Sequence, residues 1–375
     1  MTEKELRGAL LCTGAYRDIL EEPLMEAALA MLECPEDGAR YAETFYLLRK
    51  SGHRGLGSWL HEKLRYSESP YPVLVERGER DEALAEAARR DIEAFRALAL
   101  LEADTALPRW ETGADFTFES LTGFYRQNGA GEFARHRAFV WESGLLRGVP
   151  DPDCMGGEEL IGYERQRNQV IANTRSMLEG NLVNNVLLYG DSGTGKSVTV
   201  KSLLLIPGFE ELRLIEADKV DLQDLPDLIR TLAPRRQKFI LFIDDLAFDQ
   251  DDRTYSVLKT ILEGGLERRP ANVAVYATSN RRHLVRQTVS DRAGDEVDRE
   301  ETIAEKTSLS DRFGLRVPYL ALDKREFLDM AETMARQRGI AMEPEALRAA
   351  AVRFEARHPG RTPRVLRQFI ASLKM

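Results

Sequence analysis

The stretch NVLLYGDSGTGKSVTVKSLLL, residues 185–205, joins a short apolar run, a glycine-rich segment and a run that can form a helix. Its central eight residues match the phosphate-loop pattern G-x-x-x-x-G-K-[ST] at every fixed position. The context also fits, because this pattern requires a strand before the loop and a helix after it. We therefore predict that phosphate groups are bound by Gly190, Asp191, Ser192, Gly193, Thr194, Gly195, Lys196, Ser197 and Val198.

Each residue type in this loop has a chemical reason. Glycines let the backbone curl so that several N–H groups point at phosphate oxygens, and the following helix adds its positive N-terminal end. Lys196 brings a mobile positive charge to the β- and γ-phosphates, and the hydroxyl of Ser197 offers a ligand to Mg²⁺. The loop therefore predicts a site for ATP with Mg²⁺.

A second segment, residues 239–245, reads FILFIDD. Its five apolar residues predict a buried parallel strand, and two carboxylates follow at the C-terminal end, where ligands of open α/β sheets bind. We assign Asp244 to Mg²⁺ and Asp245 to orienting or deprotonating the attacking water. A third apolar run, residues 273–278, precedes Asn280, whose side chain is predicted to contact the γ-phosphate or the water.

Composition divides the chain into four parts. Residues 1–107 are rich in Ala, Leu, Glu and Arg and predict an all-α domain. Residues 158–322 alternate strands with helices, which predicts βαβ units and a parallel sheet. Residues 323–375 predict a small helical lid, and the fold class is therefore α/β. The main predicted elements are helices over 81–103 and 163–179 and strands over 185–189, 212–217, 239–243 and 273–278.

The fourth part, residues 108–157, carries eight aromatic residues among glycines and polar residues. A linker that is only flexible would not need so many aromatic side chains. A stacking surface for nucleic-acid bases would need interleaved basic residues, and the only local cluster is Arg135, His136 and Arg137. We predict an ordered connector that packs on one or both of its neighbours.

The charge balance makes nucleic acid an unexpected main partner. The chain has 53 Lys and Arg against 62 Asp and Glu, a net charge of −9, whereas affinity for phosphate backbones comes from clustered basic charge. Three widely spaced cysteines fit a reducing cytoplasm, and we expect a cytoplasmic protein. The first residues lack the apolar core of a secretory signal, and the apolar runs are too short to span a membrane.

Together these motifs resemble the AAA+ superfamily of P-loop ATPases in their order and spacing. The resemblance implies that Asn280 is a sensor and that Arg312, in the segment SLSDRF, enters the ATP site of a neighbouring subunit. It also implies a sensor arginine in the lid, with Arg364 as the best match and Arg361 as the alternative. The segment LIGYE, with Ile161 and Gly162, resembles the part that flanks adenine in this superfamily. The resemblance also implies that the protein forms a homo-oligomer, and a ring is one such form.

A closer resemblance is to an uncharacterised bacterial AAA+ family, domain of unknown function 815. The segments NNVLLYGDSGTGKS, LEGGLERRPANVAVYATSNRRHL and EKTSLSDRFGL carry it, and it covers about residues 110–375. This family implies a fold and ATP binding but no established biological role.

Two departures from common AAA+ patterns bear on function. The second carboxylate is Asp245, as in replication initiators and helicase loaders, whereas many other AAA+ proteins have Glu at this position. The shorter side chain of Asp lies farther from the water. Residues 216–238 contain neither the aromatic residue nor the glycine of a pore loop, which argues against a threading unfoldase.

Several functions are compatible with these residues. The leading hypothesis is an ATPase that couples its nucleotide state to an unknown protein partner. The alternative is a slow-turnover, ATP-dependent switch or scaffold, and a helicase-loader-like factor on DNA is less favoured because of the net charge. Arg312 and Arg364 argue against a small-molecule phosphotransferase.

Overall fold

The computed structural model describes residues 2–102, 109–156, 159–247, 253–263, 269–280, 309–358 and 360–373. The chain forms two compact units. The first comprises Met1–His136 together with Pro234–Gln237, and the second comprises Arg137–Ala233 together with Lys238–Met375. Among the described residues, no helix is both long enough and apolar enough to cross a membrane.

The first unit is helical. Its longest helix, α6, has the local signals that favour a helix. Asp81 caps its first turn, and an apolar stripe that includes Ile92 and Phe95 is fully buried. The sequence predicts this helix over 81–103, and the structure ends it at Ala99. The helices are α1 (Glu3–Leu11), α2 (Pro23–Glu33), α3 (Gly38–Lys50), α4 (Leu56–Arg65), α5 (Pro70–Glu76), α6 (Glu82–Ala99), α7 (Phe118–Asn128) and α8 (Gly131–Arg135).

The second unit is built on one sheet with the order β2-β1-β4-β5-β6-β3-β7. Only the β1–β2 pair is antiparallel, and every other pair of neighbouring strands is parallel. The predicted parallel α/β fold is therefore confirmed. The strands are β1 (Ala138–Glu142), β2 (Leu145–Val149), β3 (Val186–Gly190), β4 (Leu212–Ala217), β5 (Lys238–Ile243), β6 (Val273–Ser279) and β7 (Leu315–Tyr319).

The sheet order brings the predicted motifs to one edge. The interior strand β6 is buried along its whole length, as its largely apolar sequence requires. It lies between β5, which ends before Asp244, and β3, which ends at Gly190. Because these strands are parallel, their C-terminal ends meet at the same edge of the sheet.

Helices accompany these strands in the second unit. Helix α10 begins immediately after the phosphate loop, and three further helices form the predicted C-terminal lid. Asp323 and Thr362 cap the first and last of those three, and their apolar faces pack on one another around Phe327 and Phe369. The helices are α9 (Glu164–Leu178), α10 (Lys196–Ser202), α11 (Leu225–Leu232), α12 (Arg253–Glu263), α13 (Lys324–Gln337), α14 (Pro344–Glu355) and α15 (Pro363–Ser372).

The described part of the aromatic-rich segment, residues 109–156, is divided between the two units. Its first part contributes α7 and α8 to the first unit, and its second part contributes the β1–β2 hairpin to the second. The aromatic residues explain this division, because each group is buried in the core of its own unit. Those of the first unit are Trp110, Phe116, Tyr125 and Phe133, and those of the second are Phe139 and Trp141.

Candidate functional site

The phosphate loop connects β3 to α10 and has a backbone that only glycine adopts easily. Gly190 has φ of 133°, and a Cβ atom there would lie 2.2 Å from the carbonyl oxygen of Tyr319. Gly195, which precedes α10, has φ of 97°. The backbone N–H of Asp191 donates to the same Tyr319 oxygen at 2.9 Å, and its carboxylate accepts a 2.6 Å hydrogen bond from the N–H of Ala321. The loop is therefore fixed to the segment that follows β7.

Lys196 is buried and faces three acceptors. Its Nζ atom donates to the carbonyl oxygens of Gly190 at 3.0 Å and Asp191 at 2.7 Å, and to Oδ1 of Asn280 at 3.0 Å. Burial lowers the pKa of the Lys196 ammonium, and nearby carboxylates, Asp245 first, oppose that shift. The positive charge is thus held at the mouth of the loop by carbonyl and amide oxygens that a phosphate can replace.

Asp244 receives several hydrogen bonds on one carboxylate oxygen. Oγ of Ser197 donates to Oδ1 at 2.7 Å, the hydroxyl of Thr278 donates to the same atom, and the backbone N–H of Asp245 lies 3.1 Å from it. A hydroxyl and a carboxylate side by side supply the hard oxygen ligands that Mg²⁺ prefers, with substrate phosphates and water completing its shell. Ser197 and Asp244 therefore fit the Mg²⁺ predicted here.

Asp245 is held in an uncommon conformation. Its φ of 49° lies in the left-handed region, and its backbone N–H donates to Oγ1 of Thr278 at 2.9 Å. Oδ1 of its carboxylate accepts a 2.7 Å hydrogen bond from Nδ2 of Asn280. Because Oδ1 of Asn280 accepts from Lys196, a single amide connects the loop lysine to the second carboxylate.

A cavity of about 710 Å³ lies over these groups. The lid contributes Arg364, Arg367 and Gln368 to its wall, and the segment before α9 contributes Asp153 and Met155. Its other lining residues are Ser192, Gly193, Gly195, Lys196, Ser197, Val198, Lys201, Asp244, Asp245, Thr278 and Asn280.

The two arginines considered for the lid differ in their surroundings. Arg364 lines the cavity, and its backbone N–H donates to the carbonyl oxygen of Gly193 at 3.2 Å. A Cβ atom on Gly193 would lie 2.9 Å from Cβ of Arg364, so this glycine permits the close approach of the lid. The Nε atom of Arg361 instead pairs with Oε1 of Glu355 at 3.0 Å. The geometry favours Arg364 as the lid residue that faces the ligand.

Ile161 and Gly162, the two residues predicted to flank adenine, lie beside residues of the lid. Ile161 lines a second, more apolar cavity of about 500 Å³ together with Met334 and Ile370 of the lid. Gly162 has φ of 78°, and a Cβ atom there would lie 2.3 Å from Cε of Met330. The next residue, Tyr163, stacks on Tyr319 with ring centroids 5.0 Å apart.

Arg312 does not line the cavity of its own chain. It is half-buried, shortly before β7. The adjacent Asp311 accepts a hydrogen bond from Nη1 of Arg316 at 2.7 Å.

Six residues that line the cavity were not predicted from the sequence: Asp153, Met155, Lys201, Thr278, Arg367 and Gln368. Thr278 lies two residues before Asn280, and since side chains alternate along a strand, this spacing places both on one face. Arg367 follows Arg364 by one helical turn, which is also a readable signal. Met155, whose sulfur lies 3.4 Å from Nη1 of Arg367, has no such signal in the sequence.

Residues 134–375 match the family described as "Protein of unknown function (DUF815)". No curated protein matches the sequence. Among solved structures, the Thermotoga maritima RuvB Holliday junction branch migration motor is similar at 16% identity and a TM-score of 0.37, over 57% of this chain and 61% of that one. The Aeropyrum pernix ORC2 protein is similar at 14% identity and a TM-score of 0.41, over 60% of this chain and 64% of that one. The match thus covers less than two thirds of either structure.

Proposed function

The chain belongs to the DUF815 family, and because its mostly parallel sheet carries the phosphate loop and two carboxylates at one edge, we propose that it is an AAA+ ATPase that binds ATP with Mg²⁺ and hydrolyses it. The observation that carries this proposal is the chain of contacts from Lys196 through Asn280 to Asp245, beside the bond between Ser197 and Asp244. These five residues come from three separate segments of the sequence, and together they supply groups for phosphate contact, for Mg²⁺ binding and for activation of water.

Each group has a defined task in this proposal. Lys196 contacts the β- and γ-phosphates, and Ser197 and Asp244 hold Mg²⁺, which neutralises developing negative charge when it is bound. Asp245 orients the attacking water and accepts its proton, since its carboxylate lines the same cavity and is not assigned to Mg²⁺. Asn280 positions Asp245. When the nucleotide is bound, Asn280 contacts the γ-phosphate and no longer pairs with Lys196.

Arginines complete the site. Arg364 reaches the γ-phosphate from the lid, so that nucleotide binding draws the lid onto the loop. Arg312 acts on the γ-phosphate of a neighbouring subunit in a homo-oligomer, because a guanidinium from outside stabilises charge on the transferring group. Its absence from the cavity of its own chain supports this assignment.

A change of lid position with nucleotide state gives the protein a means of acting on another protein, and we assign it an as yet unidentified protein partner. A slow-turnover switch is the second candidate. The bond from Asn280 to Asp245 favours it, because this bond occupies a carboxylate oxygen that the attacking water would otherwise use. The two candidates differ in turnover number and not in the residues that bind ATP.

Calorimetric titration of ATP with Mg²⁺ into Lys196→Ala tests the binding step. Tight binding should be lost while the thermal unfolding temperature changes little, since the substitution removes a charge contact to phosphate. Lys324→Ala, which removes an exposed lysine from the lid, is the matched control and should bind ATP as the parent does. Equal affinity in the parent and Lys196→Ala would contradict the proposed site.

A further inference from the structure

The first unit contains a basic pocket that has no part in nucleotide binding. It is a cavity of about 890 Å³, and five of its lining residues are arginines. We define the basic pocket by these residues, which lie in the loop after α5, in the last turn of α7 and in the segment 234–237: Arg77, Arg80, Arg126, Arg235 and Arg236.

A buried carboxylate forms the base of the basic pocket. Glu76 accepts hydrogen bonds from the backbone N–H of Ala130 at 2.8 Å, from Nη1 of Arg235 at 3.3 Å and from the N–H of Arg236 at 3.3 Å. Arg235 also pairs with Glu68 at 3.0 Å. The charges of Glu76 and Arg235 are therefore compensated within the unit, and their contacts fix the wall of the pocket.

Three of the other four arginines carry the positive charge that is open to a ligand. Arg77, Arg80 and Arg126 are exposed, and within the described part of the chain none of the three forms an ion pair. Glu79 is the only other carboxylate that lines the pocket. A local excess of positive charge in a protein of net charge −9 marks this pocket as a place where an anionic group is stabilised.

We infer that the basic pocket binds an acidic segment of a partner protein, with side-chain carboxylates paired to Arg77, Arg80 and Arg126. Guanidinium groups bind carboxylates through paired N–H donors, which gives both affinity and orientation. The size of the cavity suits several side chains more than a single small anion. Among the residues that line it there is no aromatic ring on which a nucleic-acid base could stack.

The test uses the full-length protein and a fluorescein-labelled peptide of ten glutamates, followed by fluorescence anisotropy at physiological salt. The parent should bind this peptide, and the affinity should fall as salt is raised. Arg126→Glu and Arg80→Glu should each weaken binding about tenfold or more, because each removes a charge-assisted contact and adds a repulsive charge. Arg90→Glu makes the same change at an exposed site on α6 outside the pocket and should leave the affinity within about twofold of the parent.

Arg80 lies between two helices, so Arg80→Glu tests the pocket even if Arg126→Glu reduces the thermal stability of α7.

Failure of the peptide to bind, or equal losses of affinity in Arg80→Glu and Arg90→Glu, would overturn the inference. A single-stranded oligonucleotide that binds more tightly than the peptide, with the same dependence on Arg80, would show that the pocket is for nucleic acid instead. Displacement of the peptide by excess ATP with Mg²⁺ would place it at the nucleotide site. Because the peptide assay needs no ATP hydrolysis, its outcome is independent of the proposed ATPase.

Discussion

Oγ of Ser197 donates a hydrogen bond of 2.7 Å to Oδ1 of Asp244, which joins the start of α10 to the end of β5. Thr278, at the end of the neighbouring strand β6, donates to the same oxygen. The two residues assigned to Mg²⁺ are therefore already adjacent, and a third residue fixes the carboxylate between them. Such supporting hydrogen bonds orient metal ligands and raise metal affinity.

Thr278→Val should raise the Mg²⁺ concentration needed for half-maximal ATP binding by about tenfold, the usual range for losing a group that orients a metal ligand. The substitution keeps the shape of the side chain, removes the donor to Asp244 and leaves the N–H of Asp245 with only its 3.1 Å contact to Oδ1 of Asp244. Magnesium titrations monitored with a fluorescent ATP analogue measure the effect. Thr278→Ser retains the hydroxyl and should titrate like the parent, and a normal titration for Thr278→Val would show that Thr278 does not orient Asp244.

Arg364→Ala should reduce the protection from proteolysis that a non-hydrolysable ATP analogue gives to the lid. Arg364 faces the cavity, whereas Arg361 is engaged by Glu355, so only the former is placed to draw the lid onto the phosphates. Arg361→Ala is the matched control and should keep full protection by the analogue. If the two variants behave in the opposite way, the lid sensor is Arg361.

Arg312→Ala should lower ATPase activity about tenfold or more while leaving ATP affinity unchanged, since arginine fingers supplied by another subunit contribute ~10³ or more in related phosphoryl transfers. Mixing two variants tests whether Arg312 acts within its own subunit or on a neighbouring one. Arg312→Ala subunits keep their phosphate loop, and Lys196→Ala subunits keep their arginine, so mixed oligomers of two inactive proteins should recover some activity. Activity equal to the sum of the separate proteins, with mixed oligomers shown to form, would mean that Arg312 does not act across subunits.

The phosphate loop and its fold were predictable because their signals are local. Gly190 to Ser197 form one continuous pattern, and the apolar run before Asp244 is a strand whichever strands lie beside it. The bounds of the four predicted strands lie within one residue of the observed bounds. Polar residues on both sides of a continuous apolar run fix where the strand begins and ends.

Other features depend on contacts between distant parts of the chain. The division of residues 109–156 between two units could not be predicted, because aromatic residues indicate burial without indicating which core receives them. The basic pocket could not be predicted either, since Arg235 and Arg126 are far apart in sequence and meet only in the folded first unit. The choice between Arg361 and Arg364 required the observed pairing of Arg361 with Glu355.

The rate of phosphate release by Asp245→Asn, compared with that of the parent, tests the central claim most directly. This substitution keeps the size of the side chain and removes the charge that the attacking water needs, so the variant should bind ATP as tightly as the parent. It should hydrolyse ATP at least about tenfold more slowly, because a group that positions and deprotonates the nucleophile typically contributes ~10² or more. Equal rates for the two proteins, with ATP affinity unchanged, would contradict the assignment of Asp245 as the catalytic residue of an ATPase.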